Sequence, residues 1–143
     1  MKISNKTKYG FQFMLSLAVE FGDNFINIKD IAQKEEIPIK FLENIVSIIK
    51  PAELVQVKRG ANGGYRLAKS PDKISLLQIF EILEGQILPS ETDPKNTKSS
   101  IDDIVETVWK DMQVMLVSYL SNKTLADLAK EYFDNQKNLM FYI

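Results

Sequence analysis

The chain has 143 residues, 45% of them hydrophobic and 26% charged, which fits one small domain or a small domain with an appended arm. It contains no cysteine and no histidine. This composition excludes disulfides, thiolate zinc sites, cysteine-held iron–sulfur clusters and catalytic arrangements built on cysteine or histidine. We therefore expect neither an enzyme nor a resident cofactor.

Charge is unevenly distributed along the chain, although its net value is only −1. Residues 1–69 hold 11 Lys and Arg against 7 Asp and Glu, whereas residues 70–143 hold 7 against 12. A basic first half joined to an acidic second half is typical of a DNA-facing module attached to a segment that avoids DNA. No apolar run approaches the roughly 18 residues of a membrane span, so we expect a cytoplasmic protein without a membrane partner.

Hydrophobic spacing predicts three helices in the first fifty residues. The first covers about residues 6–21, where polar residues interrupt the apolar run and favour an amphipathic helix over a signal peptide. Asn27 is a suitable cap for a short second helix over residues 28–34. Pro38 suits the first position of the third helix.

The third helix is predicted to have two distinct faces. The apolar face is formed by Phe41, Leu42, Ile45, Val46 and Ile49. The polar face is formed by Lys40, Glu43, Asn44 and Ser47. Such a helix packs on one side and presents short polar groups on the other. A solvated surface explains the same pattern, so the polar face alone is weak support for recognition.

A β-hairpin with a glycine-rich tip is predicted after the third helix. Its strands cover residues 54–58 and 65–68, and its tip, residues 59–64, reads Arg-Gly-Ala-Asn-Gly-Gly. The tip lacks the Gly-Lys-Ser/Thr of a phosphate-binding loop. A basic hairpin after a helix-turn-helix is the layout of a winged helix. The sequence thus predicts a mainly α fold with a small β-hairpin wing, followed by a fourth helix that Ser75 caps.

The second half of the chain is predicted to form a linker and a long helix. Residues 86–100 are rich in Pro, Ser, Asn and Thr, which separates a winged domain at residues 1–85 from helices at residues 101–143. An apolar heptad seam on the long helix favours a dimer interface, and packing back onto its own domain is the alternative. The candidate dimerisation residues are Val105, Val108, Trp109, Met112, Met115 and Tyr119. The apolar tail, residues 139–143, is interpreted as an interface strap, a partner motif or a frayed end.

Several short motifs occur in order along nearly the whole chain. They are Met1-Lys2-Ile3-Ser4 with Lys8-Tyr9, Phe41-Leu42-Glu43, Leu54-Val55, the wing segment from Arg59 to Ala68, Ile82-Leu83-Glu84-Gly85, Trp109 and Thr124-Leu125-Ala126-Asp127-Leu128. Together they resemble the Rrf2 family of bacterial winged-helix regulators, and the wing segment is the most specific of them. The resemblance implies a dimeric DNA-binding repressor or activator whose long helix crosses the dimer.

The sequence departs from that family in three places. Many relatives hold an iron–sulfur cluster through three cysteines in the loop that corresponds to residues 86–100, so this chain resembles the cluster-free branch. Pro51 stands where the family usually continues the helix, and it disfavours helical geometry at Lys50. Glu53 stands where the family usually has glycine. It must either adopt a left-handed conformation or belong to a different turn.

The candidate DNA-binding residues divide into phosphate contacts and base contacts. The phosphate contacts are assigned to Lys2, Lys6, Lys8, Tyr9, Lys29, Lys40 and Lys58. On the third helix, Asn44 is suited to adenine and Glu43 to cytosine in the major groove. The resemblance also places Pro38 and Lys40 in this groove-facing region.

Two arginines on the hairpin are given different roles. Arg59, at the base of the wing, suits the narrow minor groove of an A-tract, because arginine is less strongly hydrated than lysine. For Arg66, on the returning strand, the favoured interpretation is a structural pair with a neighbouring carboxylate.

The predicted function is that of a homodimeric repressor on a palindromic double-stranded DNA operator. The alternative is a regulator that acts mainly through a partner protein, such as an enzyme, or through a small-molecule effector at the dimerisation region. Trp109, Met112 and Tyr119 border the groove in which such an effector would lie. A core packed around the same aromatic residues is the simpler account of that groove.

Overall fold

The structure is a computed structural model that describes residues 2–87 and 99–141. In this part of the chain, there are six α-helices and one two-stranded antiparallel sheet. The helices are α1 (Asn5–Val19), α2 (Ile28–Lys34), α3 (Ile39–Ile49), α4 (Leu76–Glu84), α5 (Ser100–Asn122) and α6 (Leu125–Phe141). The strands are β1 (Val55–Lys58) and β2 (Gly64–Leu67). The predicted mainly α fold with a hairpin wing is therefore confirmed.

Side-chain caps fix the starts of the helices where the sequence places them. Ser4, Asn27 and Ser75 precede α1, α2 and α4, and the side chain of each accepts a hydrogen bond from a backbone amide two or three residues later. Pro38 lies at the N-cap of α3, one residue before the predicted position. None of the described helices is long and apolar enough to span a membrane.

The end of α3 accommodates both departures from the family pattern. The chain continues from Ile49 into a 3-10 turn over Lys50–Ala52, where Pro51 needs no helical hydrogen-bond donor. Lys50 keeps a right-handed helical backbone (φ −51°, ψ −46°), so the bias expected from the following proline is not observed. Glu53 adopts the left-handed conformation (φ 58°, ψ 27°), the first of the two alternatives. Its amide donates to the carbonyl of Lys50 at 3.0 Å.

One hydrophobic core includes residues from both halves of the chain. Phe13 in α1, Leu42 in α3, Ile79 in α4 and Leu125 in α6 are each at most 1% exposed. Backbone hydrogen bonds hold the start of α6 beside the start of α4, from the amide of Leu76 to Lys123 and from the amide of Leu125 to Ile74. Thus α6 packs on the winged domain. Residues 88–98 of the predicted linker lie outside the described residues.

A backbone bridge attaches the wing to the segment before α2. Within the hairpin, Val55 pairs with Leu67 and Lys58 pairs with Gly64. Beyond the hairpin, Ile26 and Tyr65 exchange two backbone hydrogen bonds of 2.8 Å each. The two strands of the wing are therefore paired with each other, and the second strand is also attached to the helix-turn-helix.

Gly64→Ala is expected to destabilise the wing by about 1–3 kcal/mol. Gly64 has a φ of +154°, and a Cβ there would lie 2.2 Å from the carbonyl oxygen of Ile26. Urea unfolding should show a lower midpoint, and hydrogen exchange should show faster exchange at Ile26 and Tyr65. Gly22→Ala is the control, because its Cβ would lie 4.0 Å from the nearest atom. Equal midpoints for the two variants would contradict this prediction.

Candidate nucleic-acid interface

The start of α1, which carries the amino-terminal lysines, is fastened to the end of α4. One carboxylate oxygen of Glu84 accepts from the Ser4 hydroxyl at 2.7 Å, the Thr7 hydroxyl at 2.7 Å and the Ser4 amide at 3.0 Å. The Ser4 hydroxyl, the Thr7 hydroxyl and the Ser4 amide, in that order, lower the pKa of Glu84 to about 2. Sequence analysis missed this contact, which sets the direction in which α1 begins.

Glu84→Gln is expected to lower the stability of the fold near neutral pH. It should also make that stability less dependent on pH in the acidic range. The folded-state pKa is depressed from 4.5 to about 2, so the ionised carboxylate stabilises the fold above about pH 4.5. This contribution is lost as the pH falls toward 2, and the difference in urea midpoint between wild type and variant should narrow over that range. Glu81→Gln, on the same helix, is the control. A difference that stays constant with pH would count against this role of Glu84.

The two faces of α3 are confirmed, with one exception. Leu42, Ile45, Val46 and Ile49 are buried, whereas Lys40, Glu43, Asn44 and Ser47 are exposed. Phe41, predicted on the apolar face, is 36% exposed. It lies at the edge of the apolar stripe, where its ring meets the ring of Tyr9 edge-on at 5.5 Å. This contact brings Tyr9 of α1 to the first turn of α3.

Two polar side chains on the exposed face of α3 have unused hydrogen-bond donors and acceptors. Among residues 2–87 and 99–141, no ion pair or hydrogen bond engages the side chains of Glu43 and Asn44. The backbone carbonyl of Asn44 accepts from the Ser47 hydroxyl at 2.6 Å. An asparagine amide and a carboxylate on one exposed helix face have the donors and acceptors that base edges in a major groove require.

The two hairpin arginines lie in different surroundings. Arg66 donates to the side-chain oxygen of Gln56 at 2.8 Å and to the carbonyl of Asp23 at 2.9 Å, and it stacks on Phe25 at 4.3 Å. The prediction that Arg66 pairs with a carboxylate is wrong, because the residue directly opposite Arg66 in the strand register is Gln56. Arg59 is exposed at the start of the tip, and its side chain forms no hydrogen bond or ion pair with the described part of the chain.

The candidate phosphate-contacting residues lie on or just before α1, and on α2, α3 and the wing. Lys2, Lys8, Lys29, Lys40 and Lys58 are exposed, as is Pro38, while Lys6 and Tyr9 are half-buried. The ammonium of Lys58 lies 5.8 Å from the centre of the Phe25 ring. The Tyr9–Phe41 contact joins α1 to α3, and the Ile26–Tyr65 bridge joins the wing to the start of α2. Direct contacts thus connect the helices and the wing that carry the candidate phosphate-contacting residues.

Large apolar side chains are exposed along most of the length of α5. Of its 23 residues, only Leu120 is buried, so this helix folds back onto its own domain mainly near its end. The exposed fractions of the predicted dimerisation residues are 44% for Val105, 50% for Val108, 51% for Trp109, 53% for Met112, 72% for Met115 and 58% for Tyr119. Large contiguous apolar surfaces of this kind mark interaction sites.

Known regulators share this architecture over nearly the whole chain. The structure of CymR, described as the global cysteine regulator of B. subtilis, matches with a TM-score of 0.80 and 34% identity, over 92% of this chain and 98% of that one. T. potens IscR matches with a TM-score of 0.74 and 32% identity, over 95% of this chain and 91% of that one. In sequence, the HTH-type transcriptional regulator CymR of Bacillus subtilis (strain 168) is 37% identical over 145 residues, which cover all of both chains.

The sequence model of the Rrf2 family, described as an iron-dependent transcriptional regulator, matches residues 3–131. The donor atoms of this chain do not fit a cluster held by cysteine or histidine, since neither residue occurs. In residues 2–87 and 99–141, no three acidic side chains come together in a way that could hold a metal ion. The match nevertheless covers most of the chain, in agreement with the relatives above. The chain belongs to the Rrf2 family of transcriptional regulators.

Proposed function

We propose that the protein is a homodimeric repressor that binds a palindromic DNA operator in a sequence-specific manner without an iron–sulfur cluster. The observation that carries the proposal is the exposed face of α3, where Lys40, Glu43 and Asn44 lie opposite a face on which four of the five apolar residues are buried. This face belongs to a winged helix whose relatives are transcriptional regulators.

DNA contact is divided among the elements around α3. The helix enters the major groove, where the amide of Asn44 pairs with adenine and the carboxylate of Glu43 accepts from the amino group of cytosine. The basic side chains on α1, α2 and β1 contact phosphates on either side and fix the register. Arg59 enters the adjacent minor groove, where a narrow A/T-rich segment concentrates negative potential.

Dimerisation is assigned to the exposed seam of α5. A two-fold dimer buries the same surface on both copies, so Val108 and Met112 of one copy meet the corresponding region of the other. The resulting pair of α3 helices reads two inverted half-sites. Their spacing is a whole number of helical turns because both helices must reach the same side of the duplex.

Binding of the full chain to a random-sequence duplex at several salt concentrations tests the DNA-binding part of the proposal. Each phosphate contact releases condensed counterions, so the logarithm of the affinity should fall with the logarithm of the salt concentration, with a slope of about −3 to −6 per chain. Lys110→Gln, on the exposed surface of α5, should leave the slope unchanged. A slope near zero for the wild type would contradict the assignment of the basic residues to phosphates.

The exposed end of α6 favours a partner protein as a second candidate role. Leu139, Met140 and Phe141 are 58%, 78% and 88% exposed, and residues 142–143 lie outside the described residues. Deletion of residues 139–143 separates the three interpretations of the tail, and a frayed end predicts that the deletion has no effect. Repression lost in cells while dimerisation and operator affinity stay unchanged would support partner binding, whereas loss of the dimer would support an interface strap.

A further inference from the structure

A partly enclosed cleft of about 200 Å³ lies between α1, α2 and α6. Its apolar wall is formed by Leu15 and Val19 of α1, by Ile26 and Ile31, and by Tyr132 of α6. Ile31 is buried, while the other four are half-buried and present apolar surface to the cleft. Since an apolar cavity of roughly 150 Å³ holds one benzene ring, this cleft has room for one ring-sized apolar group.

The rim of the cleft is acidic. Glu20, Asp30 and Glu35 line it together with Lys34, which leaves a net charge of −2 from three carboxylates and one ammonium. In the described part of the chain, the side chains of these four residues form no ion pair or hydrogen bond. No internal partner neutralises these carboxylates, so they remain available to attract an external cation.

We propose that this cleft binds a small amphipathic cation, one apolar ring or short branched chain that carries a single ammonium or amidinium group. The apolar part lies against Leu15, Val19 and Tyr132, and the charged part lies at the carboxylates of the rim. Ligand pockets commonly combine an apolar lining with a few placed polar groups, as this cleft does. The proposal does not depend on DNA binding, and it differs in place from the effector groove expected beside Trp109.

Three isosteric probes test the site with the full chain: benzamidine, benzamide and benzoate. Each is titrated into isotopically labelled protein while backbone amide resonances are recorded. Benzamidine should shift amides in residues 15–20, 30–35 and near Tyr132. Benzamide should bind the same residues about fivefold more weakly, since exposed carboxylates each contribute a modest attraction. Benzoate should cause no shift there.

Three variants separate the apolar wall from the acidic rim. Val19→Phe fills the cleft and should abolish the shifts. The double variant Asp30→Asn, Glu35→Gln should make benzamidine and benzamide bind equally, and it tests the proposal even if Val19→Phe does not fold. Asp111→Asn, on α5, removes one exposed carboxylate elsewhere and should preserve the preference for benzamidine. Equal shifts with benzoate, shifts centred on α5, or no shift with any probe would overturn the proposal.

Discussion

Met112→Glu is expected to convert the proposed dimer into monomers and to weaken operator binding at least about 100-fold, because an unpaired charge buried in an apolar interface costs several kcal/mol. Met112 lies in the middle of the α5 seam and is 53% exposed in the isolated chain. In the proposed two-fold dimer, the substituted residue would occur in the interface twice. Sedimentation velocity measures the oligomeric state, and fluorescence anisotropy on a selected operator measures the affinity.

Thr107→Glu is the matched control for Met112→Glu. It introduces the same charge on the same helix, at an exposed residue that the helical period places away from the seam. This control should remain a dimer with wild-type affinity. A dimeric Met112→Glu protein with unchanged operator affinity would contradict the assignment of the α5 seam to dimerisation.

Arg59→Ala and Lys29→Ala are expected to weaken DNA binding in different ways. Arg59→Ala should cost about 1–3 kcal/mol on the operator and should remove the preference for A/T flanks, since a minor-groove arginine reads groove width. Lys29→Ala should weaken binding to all duplexes alike and should reduce the salt slope by about 1 per chain. Titrations of both variants against operators with A/T-rich and G/C-rich flanks measure these effects.

Arg59→Lys separates charge from groove recognition. It preserves the positive charge but is more strongly hydrated, so affinity for random duplexes should be kept while the preference for A/T flanks falls. Arg59 is exposed and has no partner in the described residues, so none of these changes should alter stability. Uniform loss of affinity across all duplexes for both Arg59→Ala and Lys29→Ala would contradict the separate roles.

The local features of the fold could be predicted because their signals lie close together in the sequence. Asn27 caps α2 by accepting a hydrogen bond from the amide of Lys29, only two residues later. The glycines of the wing likewise lie within the hairpin whose turn requires them. The exposed face of α3 follows from the helical period alone. Caps, turns and helical faces depend on residues that are close in sequence, so they can be predicted without knowledge of tertiary packing.

The contacts that sequence analysis missed join distant parts of the chain. Glu84 meets Ser4 across 80 residues. Both residues stand in motifs on which the family resemblance rests, but neither motif indicates that the two side chains are in contact. The pairing of Arg66 with Gln56 depends on strand register, and the Tyr9–Phe41 contact depends on how α1 crosses α3. The partial exposure of Phe41 has the same origin, since hydrophobic spacing cannot tell the edge of a buried face from its centre.

If the protein reads a palindromic DNA sequence as a dimer, selection from a random duplex library should recover that sequence. The full chain is used at roughly 150 mM salt, which screens non-specific attraction to phosphates. The predicted result is enrichment of an inverted repeat whose half-sites are a whole number of helical turns apart. Recovery of no enriched sequence, or of a single half-site without its inverted copy, would contradict recognition of a palindrome by a dimer.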